Sequence, residues 1–123
     1  MVLANESCVA FLDMRPLFPG HTLLVPREHY QTLWDLPDSL LAPLFADAKR
    51  VSAAVRQAME AQGAFVALNN VVSQSVPHLH VHIAPRNRKD GLRGFFWPRT
   101  KYESDDVAAA VAARIREVLE ETE

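Results

Sequence analysis

Histidine alternates with an aliphatic residue along His78-Leu79-His80-Val81-His82-Ile83. Side chains of a β-strand point to opposite faces with a period of two. The segment therefore predicts a strand with three imidazoles on one face and Leu79, Val81 and Ile83 on the other. The aliphatic face can seal against a helix, which leaves a row of imidazoles on the opposite side. Successive histidines stand roughly 6.6–7 Å apart along such a strand. That spacing suits a central imidazole attacking an atom while its neighbours hydrogen-bond groups on either side. Near neutral pH, imidazole serves both as nucleophile and as proton carrier. A solvated strand face is the bland alternative, and three histidines in perfect alternation are poor candidates for it. Zinc is the sharper rival, because two histidines at i and i+2 can share one ion. However, His78 and His82 stand roughly 13 Å apart along a regular strand, and no Cys, Asp or Glu nearby completes a ligand set. No metal is expected.

The rest of the chain frames that strand. At 123 residues and 13.8 kDa it is long enough for one core, so residues 1–123 are expected to form a single domain. Hydrophobic residues at 49% and charged residues at 23% match the globular average and argue against disorder. The longest apolar runs are a handful of residues, which argues against a membrane-spanning helix. Met1 to Ala10 lacks the basic start and long apolar stretch of a secretory signal. The lone Cys8 cannot form an internal disulfide, so a soluble cytoplasmic protein is expected. A net charge of -2 disfavours general nucleic-acid binding.

Val9 to Leu12 reads as a strand, ended by Asp13 and the turn-rich run Arg15 to Gly20. His21 to Pro26 reads as a second strand, antiparallel to the first. From Pro37 to Gln62 the residues Leu40, Leu44, Val51, Val55 and Met59 recur at helical spacing. Asp38 or Ser39 is a candidate start, Gly63 suits the stop, and Pro43 allows the regular helix to begin only there. Ala64 to Leu68 and about Val76 to Ala84 complete the strands. Ser104 is placed to cap a last helix with Asp105 and Asp106 in its first turn and a stripe of Val107, Val111, Ile115 and Leu119. This order fits an α+β fold with an antiparallel sheet, a main packed helix and a C-terminal helix. Pairing order is left open.

Gln74 to Arg86, QSVPHLHVHIAPR, resembles the signature of the histidine triad family of nucleotide hydrolases and transferases. Ala10 to His29, AFLDMRPLFPGHTLLVPREH, resembles that family's first hairpin. The resemblance covers about Val9 to Lys101. The resemblance implies a five-stranded antiparallel sheet and a homodimer. It also implies cleavage at the α-phosphorus of a nucleoside phosphoramidate or dinucleoside polyphosphate, with a purine nucleotide conjugate as partner and no cofactor. On this match His80 is the nucleophile that becomes nucleotidylated, consistent with covalent catalysis splitting one hard displacement into two easier ones. His82 matches the position that contacts phosphate or leaving-group oxygen and assists proton transfer. His78 and His21 match supporting positions. Ser75 and Gln74 match the phosphate-binding pair, Asn69 the amide near the leaving group, and Asp13 the acid that holds the ribose hydroxyls. The family's zinc-binding members use extra cysteines, which Cys8 alone does not reproduce.

Arg86, Arg88, Lys89, Arg93, Arg99 and Lys101 crowd one stretch that could steer an anionic ester. Phe95-Phe96-Trp97 could wall the site or pack elsewhere, Phe11 and Leu24 are candidate pocket walls, and His29 reads as an ordinary loop residue. The short stretch before Asp13 leaves base selectivity open. The leading reading is a nucleotide hydrolase, a transferase being its close variant. Its alternative is a non-catalytic nucleotide-binding regulatory module.

Overall fold

The computed structural model describes residues 1–92 and 99–121. These fall into two compact units, Met1–Asp90 and Gly91–Glu123. The first unit contains β1 (Leu3–Ala4), β2 (Cys8–Leu12), β3 (Thr22–Pro26), α1 (Leu41–Ala58), β4 (Gly63–Ala67) and β5 (Val81–Arg86); the second contains α2 (Asp105–Glu121). The strands form one sheet in the order β1-β2-β3-β5-β4, every neighbouring pair antiparallel. The fold is the expected α+β arrangement of a five-stranded antiparallel sheet and two helices.

Alternation divides the sheet into a core face and a site face. Cys8 and Ala10 of β2, Leu24 of β3, and Val81 and Ile83 of β5 are buried against Leu44, Ala48, Val51 and Val55 of α1. Each large aliphatic side chain removed from water in this way contributes about 1.5–3 kcal/mol. On the other face the register sets Phe11 opposite Leu23 and Leu23 opposite His82. One row across the sheet therefore runs Phe11, Leu23, His82 and, on β4, Ala67.

Several boundaries differ from the sequence reading. The strand expected from Val76 begins only at Val81, so His78 and His80 precede it. Pro77 has no N–H to give a ladder. Next to it, His78 N–H donates to the Val76 carbonyl and Leu79 N–H to the Tyr30 carbonyl. Burial still alternates: Leu79, Val81 and Ile83 are buried while all three histidines are partly exposed. β1 was not anticipated, because two residues carry no readable period.

A 3-10 turn over Asp38–Leu40 precedes α1, whose N-cap is Leu40, so neither Asp38 nor Ser39 caps it. Pro43 lies in the first turn, where its missing N–H leaves nothing unsatisfied. At the far end Glu60, with φ 51°, reverses the chain. Its N–H donates to the Gln57 carbonyl and that of Ala61 to the Arg56 carbonyl, the paired bonds of a Schellman stop. Gly63 starts β4 rather than ending the helix. In the second unit Ser104 caps as expected, its Oγ accepting the Val107 N–H at 3.2 Å, and the stripe of Val107, Val111, Ile115 and Leu119 is exposed.

Asn5 and Asp47 tie the first strands to α1. Asn5 Oδ1 accepts the N–H groups of Ser7 and Cys8, and its Nδ2 donates to Asp47 at 2.8 Å. The Cys8 thiol is pushed up to about 11 by burial, by the Asp47 charge and by its hydrogen bond to Asp47.

Gly20 closes the turn between β2 and β3 at φ +99°, and a Cβ there would lie 2.6 Å from Met59 Cγ. Left-handed backbone costs a residue with a Cβ about 1–2 kcal/mol before any clash. Gly20→Ala is therefore expected to lower unfolding free energy by at least that amount in urea titration, with the m-value unchanged.

Candidate active site

The turn between β2 and β3 brings Asp13 and His21 together before the second strand starts. Asp13 N–H donates to the His21 carbonyl at 2.9 Å, and His21 N–H donates to that of Phe18 at 3.0 Å. His21 is buried, and His82 of β5 packs against it with ring centroids 5.2 Å apart. His80 lies beside His82, their rings meeting edge to face at 4.9 Å.

Backbone partners assign the tautomer of each ring, because an amide N–H only donates and a carbonyl only accepts. Leu17 N–H donates to His21 Nδ1 at 2.9 Å, so neutral His21 carries its proton on Nε2. That Nε2–H donates to His82 Nδ1 at 3.0 Å, which leaves the proton of neutral His82 on its own Nε2. His80 shows the opposite polarity: its Nδ1–H donates to the His78 carbonyl at 2.7 Å, so Nε2 keeps a bare lone pair. Two adjacent imidazoles thus offer a base and an acid.

Both belong to one cavity of about 400 Å3, lined by Phe11, Asp13, Leu23, Val25, Ser75, Val76, His78, His80 and His82. Such a volume suits a small organic ligand. Its walls are apolar on the strand side and polar along the triad. Leu24, expected as a wall, is fully buried in the core; Leu23 and Val25, one residue to either side on β3, take that place.

The HIT domain family profile matches residues 1–89. The chain belongs to the HIT family. An uncharacterized HIT-like protein of Saccharolobus solfataricus is 35% identical over 122 residues, covering 97% of this chain and 87% of that protein. The asymmetrical bis(5'-nucleosyl)-tetraphosphatase of Schizosaccharomyces pombe is 35% identical over 88 residues, covering 70% of this chain but only 48% of the enzyme. Among solved structures, a HIT family member from Bacillus subtilis superposes with a TM-score of 0.83 at 28% identity, covering 94% of this chain and 84% of that one.

Within this HIT chain the other expected positions divide. Asp13, Ser75, His78, His80 and His82 converge on the cavity, and His21 supports His82 from behind. Gln74 and Asn69 are not among the lining residues. Gln74 fastens its loop, with Oε1 accepting the Val71 N–H and Nε2 donating to the Gln31 carbonyl. Asn69 Nδ2 donates to the Ser73 carbonyl at 3.3 Å, and Asn70 Oδ1 accepts the Leu33 N–H at 2.8 Å. Arg86 is paired with Asp90, its Nη2 donating at 3.0 Å, which mutes one member of the basic cluster. Arg93 and Phe95-Phe96-Trp97 lie outside the described residues. Leu23, Val25 and Val76 were missed as lining residues; the alternation of β3 held the signal for the first two.

Asp13, His21 and His82 each place one ligand-type atom within 4.8 Å of the others, close enough to ask whether they hold a cation. The donor set does not fit one. Leu17 N–H occupies Nδ1 of His21, so the proton sits on Nε2, the atom a metal would need. The trio is instead a proton-bearing chain.

Burial lowers the His21 pKa from 6.5, against an opposing pull from Asp13. His82 is lowered from the same value by burial, then by His80 and His21, again opposed by Asp13. Both rings therefore take up a second proton less readily in the fold than in the unfolded chain. The unfolded chain takes up these protons first as pH falls, so this part of the stability is full above pH 6.5 and is lost below it. The melting temperature is expected to fall between pH 7 and pH 5. His82→Gln should flatten that slope, and equal slopes in the two proteins would contradict the assignment.

Proposed function

We propose that the chain is a nucleotide hydrolase that cleaves at the α-phosphorus of a nucleoside phosphoramidate or dinucleoside polyphosphate through a nucleotidyl-His80 intermediate. One observation carries this reading: His80 Nδ1–H is held by the His78 carbonyl, so Nε2 is a free base beside His82, which bears the opposite tautomer in the same cavity. The tetraphosphatase among the relatives supports it, as a protein named for a bis(5'-nucleosyl) tetraphosphate.

The chemistry runs in two displacements. His80 Nε2 attacks the α-phosphorus and forms a P–N bond while the bond from phosphorus to the leaving nitrogen or oxygen breaks. His82 Nε2–H gives its proton to that leaving atom. The His21 proton stays hydrogen-bonded to His82 Nδ1 and moves toward it as Nε2 gives up its own. Water then attacks the same phosphorus and breaks the P–N bond, returning His80, and the water's proton restores the relay. In this reading Asp13 accepts from the ribose hydroxyls and the apolar wall of Phe11, Leu23 and Val25, which line the cavity, takes the purine ring. Ser75 takes a phosphoryl oxygen.

Intact-protein mass spectrometry after brief mixing with adenosine 5′-phosphoramidate tests this directly. The wild type is expected to show a transient adenylyl adduct and to release AMP. His80→Ala should show no adduct and lose turnover by at least about a thousandfold. AMP binding without adduct or AMP release would make the chain a nucleotide-binding module instead.

The same reading includes a homodimer. β4 is an edge strand of the sheet, and Val66 on it is 45% exposed, a surface a second copy could cover. Light scattering during size-exclusion chromatography is expected to give twice the chain mass; a mass near 13.8 kDa would overturn the dimer.

A further inference from the structure

His29 carried no role in the sequence, yet its ring meets a triad ring. His29 Nδ1 lies 2.8 Å from His78 Nδ1, with ring centroids 4.9 Å apart. The other nitrogen of His78 settles who donates. Nε2 lies 3.2 Å from the Pro26 carbonyl, which only accepts, so the His78 proton is on Nε2 and Nδ1 is a lone pair. His29 must then donate through its own Nδ1–H. The His78 ring is gripped at both ends: by the end of β3 through Pro26, and by His29 three residues further along the same chain.

We propose that His29 is a positioning residue, acting through His78 to hold the nucleophile in its productive tautomer. The inference rests on the reading of His80 as the attacking group. The link is short. The His78 carbonyl is the acceptor that fixes His80 Nδ1–H, and its direction follows the His78 backbone, which is anchored by that residue's own ring. Leu79 N–H, donating to the Tyr30 carbonyl, ties the next residue to the segment that carries His29. A donor at position 29 thus sets the His78 ring, the ring steadies the carbonyl, and the carbonyl keeps the lone pair on His80 Nε2. Without that donor His78 Nδ1 faces water, and the ring is held at one end only, by the Pro26 carbonyl on Nε2.

The role differs from general packing, because it needs a donor at one place rather than a histidine as such. Asparagine places its Nδ2–H close to where a histidine places Nδ1–H, while leucine fills space without donating. His29 is exposed, so neither change disturbs the core. Wild type, His29→Leu and His29→Asn would be compared by 15N NMR of the imidazole nitrogens and by steady-state hydrolysis of adenosine 5′-phosphoramidate.

In His29→Leu the His78 Nδ1 signal should move to that of a solvated lone pair, and as the loosened ring lets the His78 carbonyl shift, the His80 nitrogens should move toward a mixed tautomer population. kcat should drop about five- to tenfold, the worth of one net hydrogen bond, with KM within about twofold of wild type. His29→Asn should restore both the nitrogen signals and kcat. Unchanged His78 and His80 nitrogens in His29→Leu would overturn the proposal. So would shifted nitrogens with unaltered kcat, or an asparagine variant as impaired as the leucine one. The two readings fail separately. A wild type that releases no AMP removes the hydrolase, while the tautomers of His78 and His80 still decide the role of His29.

Discussion

The amide of Leu17 donates to His21 Nδ1, and the proton placement along one side of the site follows from that bond. An imidazole has two nitrogens and one proton, so occupying one nitrogen with an obligate donor sends the proton to the other. From His21 the polarity passes to His82 and emerges at its Nε2. The His78 carbonyl does the reverse to His80. Two chemically identical rings, 4.9 Å apart, therefore differ in what they can do. The difference comes from main-chain groups in a turn and just before a strand, whose roles do not change with pH. Burial reinforces it by making His21 and His82 harder to protonate.

Those main-chain groups are held by a sheet whose faces do separate work. The core face is pinned by α1, so the strands cannot slip by one residue without turning Leu24, Val81 and Ile83 out to water. The same register aligns Phe11, Leu23 and His82 in one row. Cavity wall and triad ring are in this sense products of the same packing that stabilises the fold. Gly20 lets the turn carrying Leu17 and His21 press against Met59 at the end of α1. Helix, turn and strand thus meet beside the buried histidine.

Much of this was legible in the sequence because it depends on period. The alternation at His78 to Ile83 identified the imidazole face, and the helical recurrence of Leu44, Val51 and Val55 identified the side of α1 that packs. What escaped was set by hydrogen bonds between distant residues or by non-periodic backbone. Pro77 kept His78 and His80 out of the ladder although burial alternation ran through them. Glu60, a residue with no turn signature, ended α1 in the left-handed region ahead of Gly63. Gln74 and Asn69 matched a family pattern, but both side chains are engaged by their own loop or its neighbour. The partner of His29 lies 49 positions away, a distance at which no local pattern speaks. The wall residue on β3 was misplaced by one, which on a strand is the difference between the core and the cavity.

Cys8 gives the molecule a built-in reporter. It is the chain's lone cysteine, sealed at 1% exposure on the core face of β2, with its thiol pushed up to about 11. Only the thiolate is nucleophilic, so ordinary thiol reagents find almost nothing to attack while the core is closed. Opening of the β2–β3 pair, where Cys8 faces Pro26, both exposes the sulfur and relieves it of Asp47. The rate at which this one sulfur is labelled therefore clocks the opening of the hairpin whose far end carries Asp13 and His21, with no probe added to the protein.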